Sequence, residues 1–253
     1  MGFSYGEKTH IFCKNRYVLI DLCLRKPKST QSRRVKNLFF MKKLGFALMG
    51  LLMISSTGAF AQMSFGVKAG LNFTNMSFKY NDEKVDDIKF KPGINVGAFA
   101  DFELSDMLGA EVAMNVESKG FRTKDEAYGA TVKTSSNLLY VTVPVDVKLT
   151  FGSLYVLAGP YVGVAVFGKS KSSMEVDSNK EKHKEDIEFG NDEGKSDMKR
   201  FDAGLGVGVG YELNDNLGVR AGYDLGLSNL EPGGDKKNSI KNGSINISAT
   251  YKF

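Results

Sequence analysis

The chain has 253 residues, a formal net charge of +5 and 42% hydrophobic residues. This length suits one domain with a sizeable core or a closed barrel. Residues 1–61 carry a net charge of +9, whereas residues 62–253 carry 23 basic and 27 acidic residues. The basic excess belongs to the N-terminal segment, so we expect no nucleic-acid binding by the rest of the chain.

The first predicted element in chain order is a signal peptide over residues 41–61. Two lysines after Met41 precede a short apolar run, and small residues at 59 and 61 follow at the positions that a signal peptidase reads. The apolar run is shorter than the ~20 residues that a spanning helix needs. We expect export with cleavage between Ala61 and Gln62.

Residues 1–40 are basic and irregular, and they include "RKPKSTQSRRVK". We interpret them as an upstream extension from a mis-called start, with Met41 as the true start. The alternative is a long n-region of the signal, and the sequence leaves open whether these residues are translated. Both cysteines, Cys13 and Cys23, lie here. Residues 62–253 therefore have no disulfide, thiol nucleophile or thiolate metal site.

Residues 62–253 are predicted to form one barrel domain because their dominant hydrophobic period is two. Apolar residues alternate with small or polar ones in eight segments, a pattern that predicts β-strands. The segments are 64–74, 93–103, 107–118, 139–151, 154–167, 203–211, 216–228 and 244–253. Segment 154–167 is apolar on both faces, so the pattern leaves its orientation open.

The connections alternate in length. Tight turns at 104–106, 151–153 and 213–216 alternate with long polar stretches at 77–91, 119–136, 168–200 and 229–243. In hydrocarbon every backbone polar group must be paired within the protein, so only helices and closed barrels can span. Short turns at one end and long loops at the other are typical of outer-membrane barrels. We therefore predict an all-β protein, an eight-stranded antiparallel transmembrane β-barrel with short periplasmic turns and four long extracellular loops.

A glycine-rich run, "GLGVGVG", covers residues 204–210. A nucleotide-binding loop needs G-x-G-x-x-G spacing and a helix that begins within it. Here the spacing is strictly two and no helical pattern follows. The glycines therefore lie on one face of a strand, opposite the apolar file. We expect this face to leave room in the lumen for long side chains such as Arg220 or Lys68.

The last strand ends in "SATYKF", with Ala249, Tyr251 and Phe253 on one file. We interpret these three residues as the signal by which barrel-assembly machinery takes up the chain.

Several segments resemble the small outer-membrane β-barrel proteins of Gram-negative bacteria, the porin-family or OmpA-like transmembrane proteins. They are "FGVKAGLNFTNMS", "YVTVPVDVKLTF", "LYVLAGPYVGV", "YDLGLSNL" and "ATYKF". The resemblance covers nearly all of residues 63–253. It implies a barrel fold and a place in the outer membrane. The family shares no catalytic motif, so the resemblance implies no catalytic residue.

Charged residues occupy the files opposite the apolar ones, and in an eight-stranded barrel side chains fill the interior. Buried charges must be paired or hydrogen-bonded. We therefore expect a structural charge network in the lumen, with a narrow pore or proton path as the alternative. The candidate network residues are Lys68, Asp101, Glu103, Glu111, Glu117, Asp146, Lys148, Arg220, Asp224 and Lys252.

The predicted function is non-enzymatic, with no cofactor and no metal. The only histidine after residue 61 is His183, in a Lys/Glu-rich run that is typical of a solvated loop. We expect a monomer with a structural or surface-interaction role among outer-membrane lipid and lipopolysaccharide. The alternatives are a porin-type passive diffusion channel and a secreted lipocalin-like binder of an apolar ligand. A lipocalin-like binder requires an apolar interior.

Overall fold

The computed structural model describes residues 63–81, 83–84, 89–127, 130–176, 179–192, 196–235 and 237–253. The predicted extension, the signal peptide and its cleavage site at Ala61 and Gln62 lie outside these residues. In the described part of the chain no helix is long and apolar enough to cross a membrane.

Eleven strands make up the described secondary structure. They are β1 Met63–Tyr80, β2 Glu83–Lys84, β3 Lys91–Glu103, β4 Leu108–Lys119, β5 Arg122–Ala127, β6 Ala130–Phe151, β7 Leu154–Val176, β8 Asn179–Asp186, β9 Phe201–Glu212, β10 Leu217–Gly226 and β11 Ser239–Lys252.

Eight of these strands close into a ring of antiparallel pairs in the order β1-β3-β4-β6-β7-β9-β10-β11, and β11 returns to β1. The Phe253 amide extends the closing ladder by donating to the Phe65 carbonyl oxygen at 2.9 Å. Each ring strand is thus paired on both edges, as a sheet in hydrocarbon must be. The prediction of an eight-stranded antiparallel barrel is confirmed.

The alternation along each strand separates an apolar outer face from a polar inner face. In β9, Val207 is 58% exposed, whereas Asp202 is 0% exposed. The orientation of β7, which the sequence left open, follows the same rule: Tyr155 and Tyr161 are buried, and Val162 faces outward. Charged groups inside and exposed aliphatic groups outside are the reverse of the arrangement that a lipocalin-like binder requires.

The three tight turns lie at one end of the barrel. In the turn between β9 and β10, the Asn214 side-chain oxygen accepts hydrogen bonds from the amides of Asn216 and Leu217, at 3.0 and 2.7 Å. In the two-residue turn between β6 and β7, Gly152 has a φ of 62°. This left-handed conformation favours glycine.

The other end of the barrel differs from the expected loops because the strands continue into the long polar stretches. β6 begins at Ala130 and β7 continues to Val176, and β5 and β8 pair with these extensions. Both faces of a strand that projects beyond the apolar band can be polar. Such a strand pairs its backbone without the apolar alternation by which strands are predicted.

Candidate functional site: the barrel interior

Tyrosine rings fill much of the space above the glycine face of β9. A Cβ on Gly210 would overlap the Tyr155 ring, and a Cβ on Gly204 would lie 2.7 Å from Tyr161 Cε1. The expectation that Arg220 or Lys68 occupies the space was therefore wrong at these two glycines. Both cations instead line a cavity beside the two central glycines of the run.

A ring of four charges crosses the lumen at the short-turn end, and we call it the charge ring. Asp101, Lys148, Glu212 and Lys252 alternate in sign, and they come from β3, β6, β9 and β11. Lys148 Nζ lies 2.8 Å from Asp101 Oδ2 and 3.8 Å from Glu212 Oε1. Lys252 Nζ lies 3.6 Å from Asp101 Oδ2 and also donates to Glu212.

Every second strand of the barrel contributes one member of the charge ring, so the four side chains meet from four sides of the lumen. Each charge has two neighbours of opposite sign, which offsets the cost of removing it from water. Glu212 was not among the residues predicted for the lumen. The sequence could have predicted it, because Glu212 is two residues beyond Gly210 and therefore points to the same inward face of β9.

A bidentate ion pair crosses the barrel next to the charge ring. Arg220 Nη1 and Nη2 donate to the two carboxylate oxygens of Glu111 at 2.7 and 2.6 Å. The strands that carry them, β10 and β4, stand four places apart in the ring of eight and are therefore opposite each other. Paired, parallel hydrogen bonds of this kind are among the strongest in proteins.

The Tyr155 ring connects the bidentate pair to the charge ring. Lys148 Nζ lies 4.5 Å from the ring centroid and Arg220 Cζ lies 5.4 Å from it. The Arg220 Nε also donates to the Tyr155 hydroxyl at 3.3 Å. One aromatic side chain, 2% exposed, thus contacts a cation in each of the two layers.

A third polar cluster lies towards the long-loop end. Lys119 Nζ is 3.5 Å from Glu117 Oε1 and 3.7 Å from Asp202 Oδ2. Asp202 also accepts hydrogen bonds from Asn242 at 2.7 Å and from Tyr161 at 3.3 Å. Lys119 and Asp202 were not among the residues predicted for the lumen, although each lies two residues from an inward position, at 117 and 204.

A cavity of about 80 Å³ separates the bidentate pair from the third cluster. Its walls include Lys68, Asp146 and Asp224, and the Asp224 carboxylate accepts a hydrogen bond from Asn246 at 2.6 Å. Asn95 also lines the cavity, and its buried Nδ2 has no hydrogen-bond partner. The volume is sufficient for a few water molecules, which would satisfy such a group.

An apolar cluster, which we call the apolar cap, lies at the long-loop end. It consists of Met76, Phe78, Phe121, Leu138, Tyr140, Ala165, Met198, Leu230 and Ile240. Phe78 and Phe121 pack edge to face with ring centroids 5.0 Å apart. The cap was not predicted from the sequence. The pattern that indicates it lies in β1, where apolar residues occupy odd-numbered, outward positions up to Phe73 and then even-numbered, inward positions at Met76 and Phe78.

The remaining predicted residues lie outside the lumen. Glu103, a candidate for the lumen network, is exposed where β3 meets its tight turn. His183 is exposed on β8. Tyr251 and Phe253 are exposed on the outer surface, with ring centroids 5.5 Å apart. No group of three or more potential metal ligands occurs among the described residues.

Comparison with known proteins identifies the family. A family model described as outer membrane protein beta-barrel domain matches residues 60–231, and no curated protein matches the chain. Among solved structures, Ail of Yersinia pestis in complex with the heparin analogue sucrose octasulfate is 15% identical, with 76% of this chain and 99% of Ail covered at a TM-score of 0.41. Neisserial surface protein A is 14% identical (76% and 99% covered, TM-score 0.37), and OprG of Pseudomonas aeruginosa is 16% identical (75% and 95% covered, TM-score 0.33). The chain belongs to the family of outer membrane protein β-barrel domains, and it is a protein of the bacterial outer membrane.

Proposed function

We propose that the protein is a non-enzymatic component of the outer membrane whose lumen is closed by its own side chains. The observation that supports this proposal is a cluster of side chains near each end of the barrel. The charge ring crosses the periplasmic end, and the apolar cap fills the extracellular end. The protein then acts through its outer surface and its extracellular strand extensions.

The energetics favour a closed lumen. A continuous water path would require the charge ring and the Arg220–Glu111 pair to separate. The contacts that such a path would break include Lys148 to Asp101 at 2.8 Å and Arg220 to Glu111 at 2.6 Å. The path would also need the apolar cap to move away from the lumen axis.

We expect the wild-type protein, purified from outer membranes and inserted into planar lipid bilayers, to show no discrete conductance steps. The physical reason is that the charge ring and the apolar cap would interrupt a water column through the lumen. Current should stay at the level of the bare bilayer over ±100 mV, a range on the order of physiological potentials. A porin of known conductance, reconstituted in the same way, is the positive control. Reproducible steps from the wild-type protein would instead support a passive diffusion channel.

We also propose that barrel-assembly machinery recognises the terminal strand through Ala249, Tyr251 and Phe253. Phe253 is 75% exposed, so the folded barrel gains little packing from it. Deletion of Phe253 should therefore reduce the amount of heat-modifiable barrel in the outer membrane several-fold, although it removes only one backbone hydrogen bond, to Phe65, from the closing ladder. Phe253→Tyr, which retains the aromatic ring, is the matched control. An unchanged yield after deletion would contradict this role.

A further inference from the structure

Cations line up across the strands that extend beyond the membrane on the extracellular side. Lys89 pairs with Arg122, Arg122 with Ser135, Ser135 with Lys171, and Lys171 with Lys184. Residues directly opposite each other in antiparallel strands point to the same face, with Cβ atoms about 5 Å apart. These five residues therefore form one row on a single face, from the bridge at Lys89 across β5, β6, β7 and β8. Four of the five are cations.

Two neighbouring rows extend the same face. Lys133 lies opposite Ser173, and Lys169 lies between Asn137 and Asp186. Asp186 is the one acidic residue among the described side chains of these three rows. We call the six cations the basic face, and all six are exposed. They are Lys89, Arg122, Lys133, Lys169, Lys171 and Lys184.

The basic face points away from the barrel interior. The opposite face of the same extension carries Thr123, Ser136 and Leu138, which are buried, and Leu138 belongs to the apolar cap. Along β7 the basic face continues the outward file of Phe167, which is 47% exposed. The same side of the sheet therefore changes from apolar to cationic along its length.

On β7 the change from apolar to cationic residues takes place within a few residues of Phe167. Lys169 and Lys171 follow Phe167 by two and four residues, which is ~7 and ~13 Å along a strand. Lys169 Nζ also lies 5.1 Å from the centroid of the Phe167 ring. The cations begin where the exposed apolar residues of this strand end, so they face the headgroup layer beside the barrel.

Such a row is unfavourable without a counter-charge. Like charges directly opposite each other destabilise a β-sheet, and Lys171 and Lys184 are such a pair. Among the described side chains of these rows, one acid faces six cations. A planar array of phosphates at the membrane surface would bring anions to the whole face at once.

We propose that the basic face binds the phosphate groups of lipopolysaccharide in the outer leaflet around the barrel. The proposal rests on the proposed surface-interaction function and names its partner. Continuity with the lipid-facing surface favours a leaflet lipid over a soluble anion, because both meet the protein on the same side. The basic face lies outside the lumen, so the conductance measurement and the lipopolysaccharide measurement can fail independently of each other.

The test measures binding of purified lipopolysaccharide to the detergent-solubilised protein by isothermal titration. Three exposed cations on β6, β7 and β8 are neutralised together in the variant Lys133→Gln/Lys171→Gln/Lys184→Gln. Removing three cations from a headgroup-binding surface should weaken binding roughly 100-fold. The matched control, Lys79→Gln/Lys237→Gln/Lys241→Gln, removes the same charge elsewhere on the extracellular half of the barrel and should bind within about threefold of wild type.

Two further binding measurements use the wild-type protein, so they test the proposal even if the variant does not fold. Binding should weaken steeply with added salt, as screening predicts, and dephosphorylated lipopolysaccharide should bind much more weakly than the phosphorylated form. Inorganic phosphate at matched phosphate concentration should not compete. The proposal is overturned by wild-type affinity in the triple variant, by equal losses in the control, or by equal binding of dephosphorylated lipopolysaccharide. Heparin binding as tight as lipopolysaccharide binding, with the same loss in the variant, would also overturn it and assign the face to a soluble polyanion.

Discussion

Replacement of Arg220 by Met should lower the free energy of unfolding by about 3–5 kcal/mol, among the largest effects available to a single substitution in this barrel. The side chain is replaced by one of similar length, so the lost contribution is chiefly the charge. Glu111, which is 0% exposed, would then be a buried carboxylate without its bidentate partner. Tyr155 would lose one of its two cation contacts as well.

The measurement is equilibrium unfolding in guanidinium chloride, with the barrel in lipid vesicles and the fluorescence of its tyrosines as the readout. The double variant Arg220→Met/Glu111→Gln is the matched control because it removes both charges. It should recover most of the lost stability, since exchange of a buried pair for neutral groups is often close to neutral. A double variant no more stable than Arg220→Met would show that the pair does not act as a unit.

Gly210→Leu should prevent the barrel from assembling or destabilise it by several kcal/mol. A Cβ at this position overlaps the Tyr155 ring, and the ring cannot move freely because Lys148 and Arg220 contact it. Overpacking a core typically costs about 1–3 kcal/mol, and displacement of this ring would also disturb two ion-pair layers.

The matched control is Val209→Leu, one residue away on the lipid-facing side, where Val209 is 45% exposed. It should assemble at the wild-type level. The assay is the fraction of protein that shifts in mobility on heating, measured in outer-membrane preparations. Equal yields from the two variants would contradict the inward orientation of the glycine face.

Most of the barrel could be predicted from the sequence because lipid imposes a strict period of two on each crossing. β9 and β10 show this alternation clearly. The strand extensions could not be predicted, because residues 133–138 and 168–173 are polar on their outer face and lack the lipid-imposed pattern. Their pairing depends on backbone hydrogen bonds, which leave little trace in composition.

The sequence predicts which side chains point into the lumen, because successive residues of a strand point to opposite faces. Asp101, Lys148 and Lys252 lie on inward files, and the structure places them together. Alternation does not predict which of them contact one another. That depends on how neighbouring strands are shifted around the barrel, which sets the inward residues that lie at the same height along its axis. Glu103 shows this limit: it has the same parity as Asp101, but it lies at the rim.

The charge ring also bears on the order in which the barrel can be completed. β11 follows the other seven ring strands in sequence, and it supplies Lys252. Without β11, the other seven strands of the barrel supply two carboxylates of the charge ring, Asp101 and Glu212, and one ammonium, that of Lys148. Arrival of the last strand balances these charges in the same step that joins β11 to β1. The last strand therefore neutralises the charge ring and closes the barrel in one step. A barrel that lacks this strand, or pairs it in the wrong register, keeps an unneutralised carboxylate in its lumen, which the finished barrel does not.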